Sequence, residues 1–324
     1  MATLEDAKEL AEIMSLADQF FTPGSESVGQ TEAEEILNGY IDSVEARKVI
    51  DRASGKAQAF ITVHPDSSRK RIYGDTWQRP HSNLDMASLE VTLEIARGIS
   101  RDFDLWIGTN SKDLGYIQAL TKRGFNLLRT YHGLKAEITN HPYPQLESGL
   151  EMRLINEDEK KIWWATHQDS FSKHFGFVPR PFEEWKAMID KAVGIDLNAR
   201  WVLYLEGQAV GFIECSDIKK DVGAGFVDGI GVIQSQQGNG YGELMLRWAF
   251  AYYSSISRKS LELNVDTGNE SGALRLYEKL GFNVKSSCNT LRTKAGRRSS
   301  DLLLLLAPDE PLYVWTYKQG NQLI

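Results

Sequence analysis

The sequence predicts an α/β protein made of two successive units, and three observations carry that expectation. A chain of 324 residues with 42% hydrophobic content can bury more than one core of ordinary domain size. Segments with strand-like alternation and segments with helical periodicity follow one another along its whole length. Two strings also recur in the same order: Gly55-Lys-Ala-Gln-Ala-Phe-Ile-Thr-Val matches Gly207-Gln-Ala-Val-Gly-Phe-Ile-Glu-Cys, and Ala119-Leu-Thr-Lys-Arg-Gly-Phe125 matches Leu276-Tyr-Glu-Lys-Leu-Gly-Phe282. The first and second glycines are 69 residues apart in one half and 74 in the other. Matches in register argue for duplication.

Leu4, Ala7, Leu10, Ala11, Met14 and Ala17 fall on one face of an opening helix, which Thr22 to Gln30 interrupts before a second helical stretch. Lys48 to Arg52 and Ala57 to His64 flank Ser54-Gly55 and predict a hairpin. Ile72 to Trp77 is the next strand, Ser88 to Ser100 a helix, Leu105 to Gly108 a strand, and Leu114 to Lys122 a helix closed by Gly124. Asn126 to Ile138 is strand-like. Asn140-His-Pro-Tyr-Pro-Gln-Leu-Glu-Ser-Gly149 interrupts all periodicity, so the predicted units are residues 1–139 and 151–295, joined by a linker at 140–150. The second unit opens with a strand from Met152, a helix from Glu159 to Ser172 and a helix through Trp185. A hairpin of Trp201 to Leu205 and Ala209 to Cys215 follows.

Net charge is −7, with 16 Lys+Arg against 22 Asp+Glu in residues 1–150 and 21 against 22 beyond. Nucleic acid is an unexpected partner for so acidic a chain. No apolar run is long enough to span a bilayer and the acidic, amphipathic N-terminus is unlike a secretion signal, so no membrane partner is expected either. Two cysteines, Cys215 and Cys288, make neither a disulfide framework nor a metal cluster; a reducing cytoplasm is the expected location and no metal is expected.

The densest chemistry lies in Val227-Asp-Gly-Ile-Gly-Val-Ile-Gln-Ser-Gln-Gln-Gly-Asn-Gly-Tyr-Gly-Glu-Leu-Met-Leu246, which predicts a strand, a polar turn, a glycine-rich loop and a helix start. Glycines let the chain approach a ligand closely, and the free N–H groups opening the helix point at it, so the loop suits an anion such as phosphate. A dinucleotide loop would leave its strand at once and place its third glycine where Glu243 stands. Asp266, at the end of the next strand, is all that favours that alternative. A Walker loop is excluded because no Gly-Lys-Ser/Thr follows.

Gln237-x-x-Gly240-x-Gly242 resembles the Gln/Arg-x-x-Gly-x-Gly/Ala pyrophosphate motif of the GNAT superfamily of acyl-CoA N-acyltransferases. Asn269-x-x-x-Ala273 followed by Tyr277-Glu-x-Leu-Gly-Phe282 resembles that family's other signature. The resemblance covers most of residues 151 to 293, and the tandem arrangement is similar to mycothiol synthase and related two-domain bacterial acetyltransferases. It implies two α/β domains, each a mixed twisted sheet flanked by helices, and acetyl-CoA as cosubstrate. Gln237, Gly238, Asn239, Gly240, Tyr241, Gly242 and Glu243 would hold the pyrophosphate. Ile230, Gly231 and Val232 would offer main-chain groups to the pantetheine arm, with Asn264, Asn269 and Ala273 beside it, and Tyr277 would protonate the departing thiolate.

The attacking amine must lose a proton, and Asp228 or Glu214 could take it directly or through water. Strict alternation puts Asp228 on the strand face of Ile230 and Val232, and sends Cys215 to the face opposite Glu214, away from the chemistry. His167 and His174 flank an expected substrate loop, a position in which lone histidines are more often structural. In the first unit the equivalent loop, Pro80-His-Ser-Asn-Leu-Asp-Met-Ala87, has no glycine, and Leu120 stands in the place of Tyr277. Catalysis is therefore expected in the second unit only. The expected activity is acetyl transfer from acetyl-CoA to a primary amine of a small molecule by direct attack, the alternative being a non-catalytic acyl-CoA sensor or assembly module. A homo-oligomer is compatible with either. The tail from 296 to 324, with Leu302 to Leu306 and Tyr313-Val-Trp-Thr-Tyr, extends past the usual end of the family.

Overall fold

A computed structural model describes residues 1–38, 45–192, 194–269 and 272–296; the tail segments just named lie outside the described residues. The first half runs α1 (Ala7–Phe21), α2 (Gln30–Asn38), β1 (Glu45–Ile50), β2 (Ala57–Asp66), β3 (Arg71–Gln78), α3 (Asp85–Ile99), β4 (Asp104–Asn110), α4 (Leu114–Lys122) and β5 (Asn126–Glu137). The second begins with one additional strand, β6 (Leu150–Leu154). It then repeats the order as α5 (Lys160–Phe171), α6 (Phe182–Lys191), β7 (Ile195–Leu205), β8 (Gln208–Ser216), β9 (Ala224–Val232), α7 (Tyr241–Ser255), β10 (Ser260–Asp266), α8 (Ala273–Lys279) and β11 (Asn283–Lys294). The opening helix buries Ala7, Leu10, Ala11 and Met14 as its spacing predicts. Leu4 is exposed instead, because the chain before Ala7 is a short 3-10 turn.

Among the described residues, all eleven strands join one mixed sheet in the order β1-β2-β3-β4-β11-β5-β10-β9-β8-β7-β6. The halves exchange their last strands. The final strand of the first half, β5, pairs antiparallel with β10, while the final strand of the chain, β11, pairs with β4 on one side and β5 on the other. Within each half one parallel pair is made through a helical crossover, β3 to β4 through α3 and β9 to β10 through α7, as parallel neighbours require.

Strand alternation divides the side chains between two faces. On the back, α7 and α8 pack on Leu203, Ile213, Cys215, Val227, Leu261 and Leu263, and α3 and α4 pack on Ile61, Val63, Ile72, Leu105 and Ile107. On the front, α1 and α2 cover Ala46, Ala57 and Phe60, while α5 and α6 cover Val202, Tyr204 and Phe212. The middle of the front face lies between these two helix pairs. The segment 140–149 contains no helix or strand and crosses α7, with His141 stacked on Phe250 at 4.9 Å and Tyr143 edge-on to Trp248 at 4.7 Å.

Candidate active site

Pairing between β9 and β10 stops early. Ala224 to Val227 match Ser260 to Leu263, after which β9 follows β8 as far as Val232 and β10 follows β5 as far as Asp266. The two parallel strands thus part from Asp228 onward and leave a notch in the sheet with unpaired backbone along its edge. The chain leaves β9 through a 3-10 turn at Gln234–Gln236 and enters the glycine loop. Gly238 and Gly240 have φ of +86° and +81°, a region that side chains disfavour, and a Cβ at either would meet nothing within 4 Å. Gly240 caps α7, whose first-turn N–H groups, on Tyr241, Gly242 and Glu243, have no intrahelical acceptor. Gln237 and Asn239 turn their amides back onto the Val232 and Gln236 carbonyls and hold the loop in shape. These residues form an open cradle that fits a pyrophosphate. Helix α8 closes its other side: Leu276 lies where a Cβ on Gly242 would touch at 3.3 Å, and Lys279 pairs with Glu243 at 2.5 Å.

The register of β8 on β9 shifts between Glu214 and Cys215, which face Gly229 and Val227 and leave Asp228 as the extra residue of a β-bulge. The bulge resets alternation, which corrects one expectation from sequence. Ile230 and Val232 pack into the back core with Ile213, whereas Asp228 faces a cavity on the front, beside Glu214. Ser216 Oγ donates to Asp228 Oδ1 at 3.1 Å. Gly229 makes room for the second carboxylate, since a Cβ there would stand 2.6 Å from Glu214 Oε1. Cys215 is buried on the back, as alternation predicts.

Burial pushes the Glu214 carboxyl up to about 7; Arg200, opposite it in register, pulls down and Asp228 pushes up further. Burial also raises Asp228, to about 6, against Arg200 and the Ser216 hydroxyl. The two environments differ. Asp228 is crowded by protein yet its side chain is reached by solvent through the cavity, which screens it, while Glu214 Oε2 is shut off from solvent and has no hydrogen-bond partner. Glu214 is therefore the carboxyl held nearer neutrality, and a proton acceptor titrating there is what general-base chemistry needs.

Tyr277 is 7% exposed on α8, its ring 5.7 Å from that of Phe282, and burial raises its hydroxyl to about 12. It stays protonated at neutral pH and can donate. Gly231 faces α5, where a Cβ would clash with Ser170 and Phe212 at 2.6 and 2.7 Å. Ala273 opens α8, and Asn269 sits in the turn after β10 with its N–H on the Asp266 carbonyl. Asn264 is exposed on the front face of β10, between Glu262 and Asp266 and across the sheet from α8. Among the described residues no cluster of three or more His, Cys, Asp or Glu could hold a metal.

The front cavity measures about 500 Å³ and holds a wall that sequence reasoning missed. Besides Asp228, Glu214, His167 and His174 it is lined by Arg69, Arg71, Tyr73, Asp75 and Trp106 of the first half. The alternation of Arg71, Tyr73 and Asp75 along β3 is the signal that could have found them. His167 stacks on Phe171 at 4.8 Å, and burial together with Arg69 lowers it to about 4, so it is neutral and a poor base.

Comparison with known proteins agrees with this geometry. Residues 156–282 match the acetyltransferase (GNAT) family. No curated protein matches the chain by sequence. Among solved structures, a GCN5-related N-acetyltransferase from Sphaerobacter thermophilus is similar at 18% identity and a TM-score of 0.72, over 91% of this chain and 94% of that one. A tandem GNAT protein from the clavulanic acid biosynthesis pathway is similar at 12% identity and a TM-score of 0.67, over 92% and 98%. A GCN5-related glucosamine N-acetyltransferase region of a fungal multi-domain β-N-acetylglucosaminidase is similar at 14% identity and a TM-score of 0.64, over 89% of this chain and 37% of that one. The fold is that of tandem GNAT proteins and the activity class is acyl transfer. Residues 156–282 belong to the acetyltransferase (GNAT) family.

Proposed function

We propose that the chain transfers an acetyl group from acetyl-CoA to a primary amine of a small molecule, with residues 151–295 as the catalytic unit. The observation that carries this is the Glu214 carboxyl, its Oε2 buried without a hydrogen-bond partner, lining a cavity together with Asp228 and Gly229 where β9 has parted from β10. Bound acetyl-CoA supplies a thioester whose carbonyl carbon the amine attacks. The Gly238–Glu243 backbone holds the pyrophosphate, and the unpaired edge of β9 at Ile230 to Val232 orients the arm. Glu214 takes the proton from the ammonium, directly or through water, while Asp228, which lines the same cavity, keeps the cation in place before it is neutralised. Tyr277 gives its hydroxyl proton to the departing sulfur, and the second proton of the attacking nitrogen restores that hydroxyl, directly or through water, as the amide forms. No residue of the chain is acylated.

Thiol release that depends on both acetyl-CoA and an amine, followed with a panel of amines, tests this. Release with at least one amine is expected. Acetyl-CoA binding without release from any amine would refute transfer and leave an acyl-CoA-binding module. The fold similarity to a glucosamine N-acetyltransferase region places amino sugars in the panel.

A further inference from the structure

We infer that the amine acceptor also carries an anionic group, a carboxylate or a phosphate, and that Arg69 and Arg71 of the first half recognise it; this rests on the acetyltransferase function proposed above. The cavity is bipolar. Its carboxylates at the notch, Glu214 and Asp228, come from the second half, while the two guanidiniums come from the β2–β3 hairpin of the first.

Both arginines are held in place with donors to spare. Arg71 stacks on Trp106, its guanidinium carbon 4.3 Å from the ring centre, and donates through Nη2 to the Gly176 carbonyl at 3.0 Å. Gly176 is at φ +69°, and a Cβ there would come within 3.1 Å of Arg71 Nη2, so the approach depends on glycine. Arg69 stands 3.7 Å from Asp66 Oδ2, beyond hydrogen-bond range, and its Nε is buried without a partner. Asp66 is already served. Arg180 Nη2 reaches Oδ2 at 2.7 Å, while Ser68 Oγ and the Arg69 N–H donate to Oδ1 at 3.0 and 3.1 Å. Glu184 takes the other side of Arg180 at 2.6 Å. Three guanidiniums thus face two carboxylates at this wall, and one positive charge is left over in a region where an unpaired donor is costly.

Asp75 does not cancel that charge. It lies four residues beyond Arg71 on β3, about 13 Å along the strand, where Gly108 N–H donates to it. Between the poles the walls are Trp106, Tyr73, Tyr131 and Phe175, apolar faces that suit the body of a small molecule. A guanidinium pinned by stacking and one backbone contact presents its remaining N–H groups in the planar fork that matches carboxylate or phosphate.

Matched pairs test it: tyrosine against tyramine for the carboxylate, glucosamine 6-phosphate against glucosamine for the phosphate. Each is titrated calorimetrically into the whole protein with CoA present, and each is assayed for acetyl-CoA-dependent thiol release. At least one anionic member should bind about tenfold or more tighter than its partner, the effect of one or more charge-assisted hydrogen bonds. Arg71→Gln should bring that ratio near one. Arg69→Gln repeats the measurement where Arg71→Gln fails to fold. Equal affinity within both pairs, binding of none of the four, or a preference that survives both substitutions overturns the inference. Preference in binding with no transfer overturns the acetyltransferase function alone; transfer with no preference overturns only the anionic acceptor.

Discussion

The loop before α3 and the loop before α7 bend alike. Gly238 and Gly240 have φ of +86° and +81°, and in the first half His81 and Asn83, also two apart, have φ of +64° and +56°. Each loop follows a strand that parts from its parallel neighbour, since β3 and β4 pair only from Arg71 to Gly74. What differs is what fills the notch. Phe20 and Phe21 at the end of α1 line the first-half cleft of about 460 Å³, His81 lies edge-on to Phe20 at 5.1 Å, and Asp18, Asp75 and Asp113 make the lining acidic. Leu120, fully buried, replaces Tyr277. Backbone shape was kept while the side chains turned against a polyanion. In the function proposed above, the same loop shape serves a cofactor in the second half only, and the first half supplies the acceptor wall.

The sharpest break in that comparison would be a second cofactor site. Calorimetric titration of acetyl-CoA should give one site per chain; a stoichiometry of two would show that the first-half cleft still works. Next in size is Glu214→Gln, which should lower kcat/KM by roughly 10²- to 10⁴-fold with little change in acetyl-CoA affinity. In the wild type kcat/KM should rise with pH through about 7, because the base must be ionised, and the variant should lose that limb. Stability moves in the opposite direction. The folded-state pKa of Glu214 is raised, so its contribution is full at acid pH and lost as pH rises through about 7; above that pH Glu214→Gln should melt higher than the wild type, and a lower melting temperature there would contradict the burial.

Tyr277→Phe should reduce kcat by roughly tenfold or more while acetyl-CoA affinity and melting temperature stay close to wild type. Its mirror, Leu120→Tyr, should leave kcat where it was. If turnover survives Tyr277→Phe, the two halves do not differ in the way argued. Gly240→Val should weaken acetyl-CoA binding by about 2 kcal/mol, since a β-branched residue resists φ +81° and projects into the cradle, with several charge-assisted contacts disturbed. The smallest effect belongs to Asn83→Gly: relief of a left-handed backbone opposed by the entropy of glycine should change stability by less than about 1 kcal/mol and restore no cofactor binding.

Much of this was legible in the chain. Several helices and most strands follow from periodicity, and the glycine loop and the tyrosine motif were visible as short strings. Three things were not, for separate reasons. Strand β11 carries Lys285, Ser286, Ser287, Cys288, Asn289 and Thr290 in succession, so it lacks the apolar alternation that announces a strand. The bulge that turns Asp228 away from Ile230 depends on β8, a partner distant in sequence, and no local pattern marks it. The acceptor wall joins β3 and β4 to the loop after α5, and which surfaces meet is decided by the exchange of strands. Arg71 looks like any surface arginine until Trp106 and Gly176 close on it.

That exchange also governs how the protein can be made. Synthesis proceeds from the N-terminus, and β4 is complete at Asn110, but the strand that covers its open edge ends at Lys294. For 184 residues of elongation the first half carries an unpaired edge, and β5 likewise waits for both β10 and β11. Contacts so distant in sequence slow folding, and exposed edges invite wrong partners. A nascent chain stalled before Asn283 should therefore remain open to protease in its first half, and one released after Gly296 should become resistant throughout its described part in a single step.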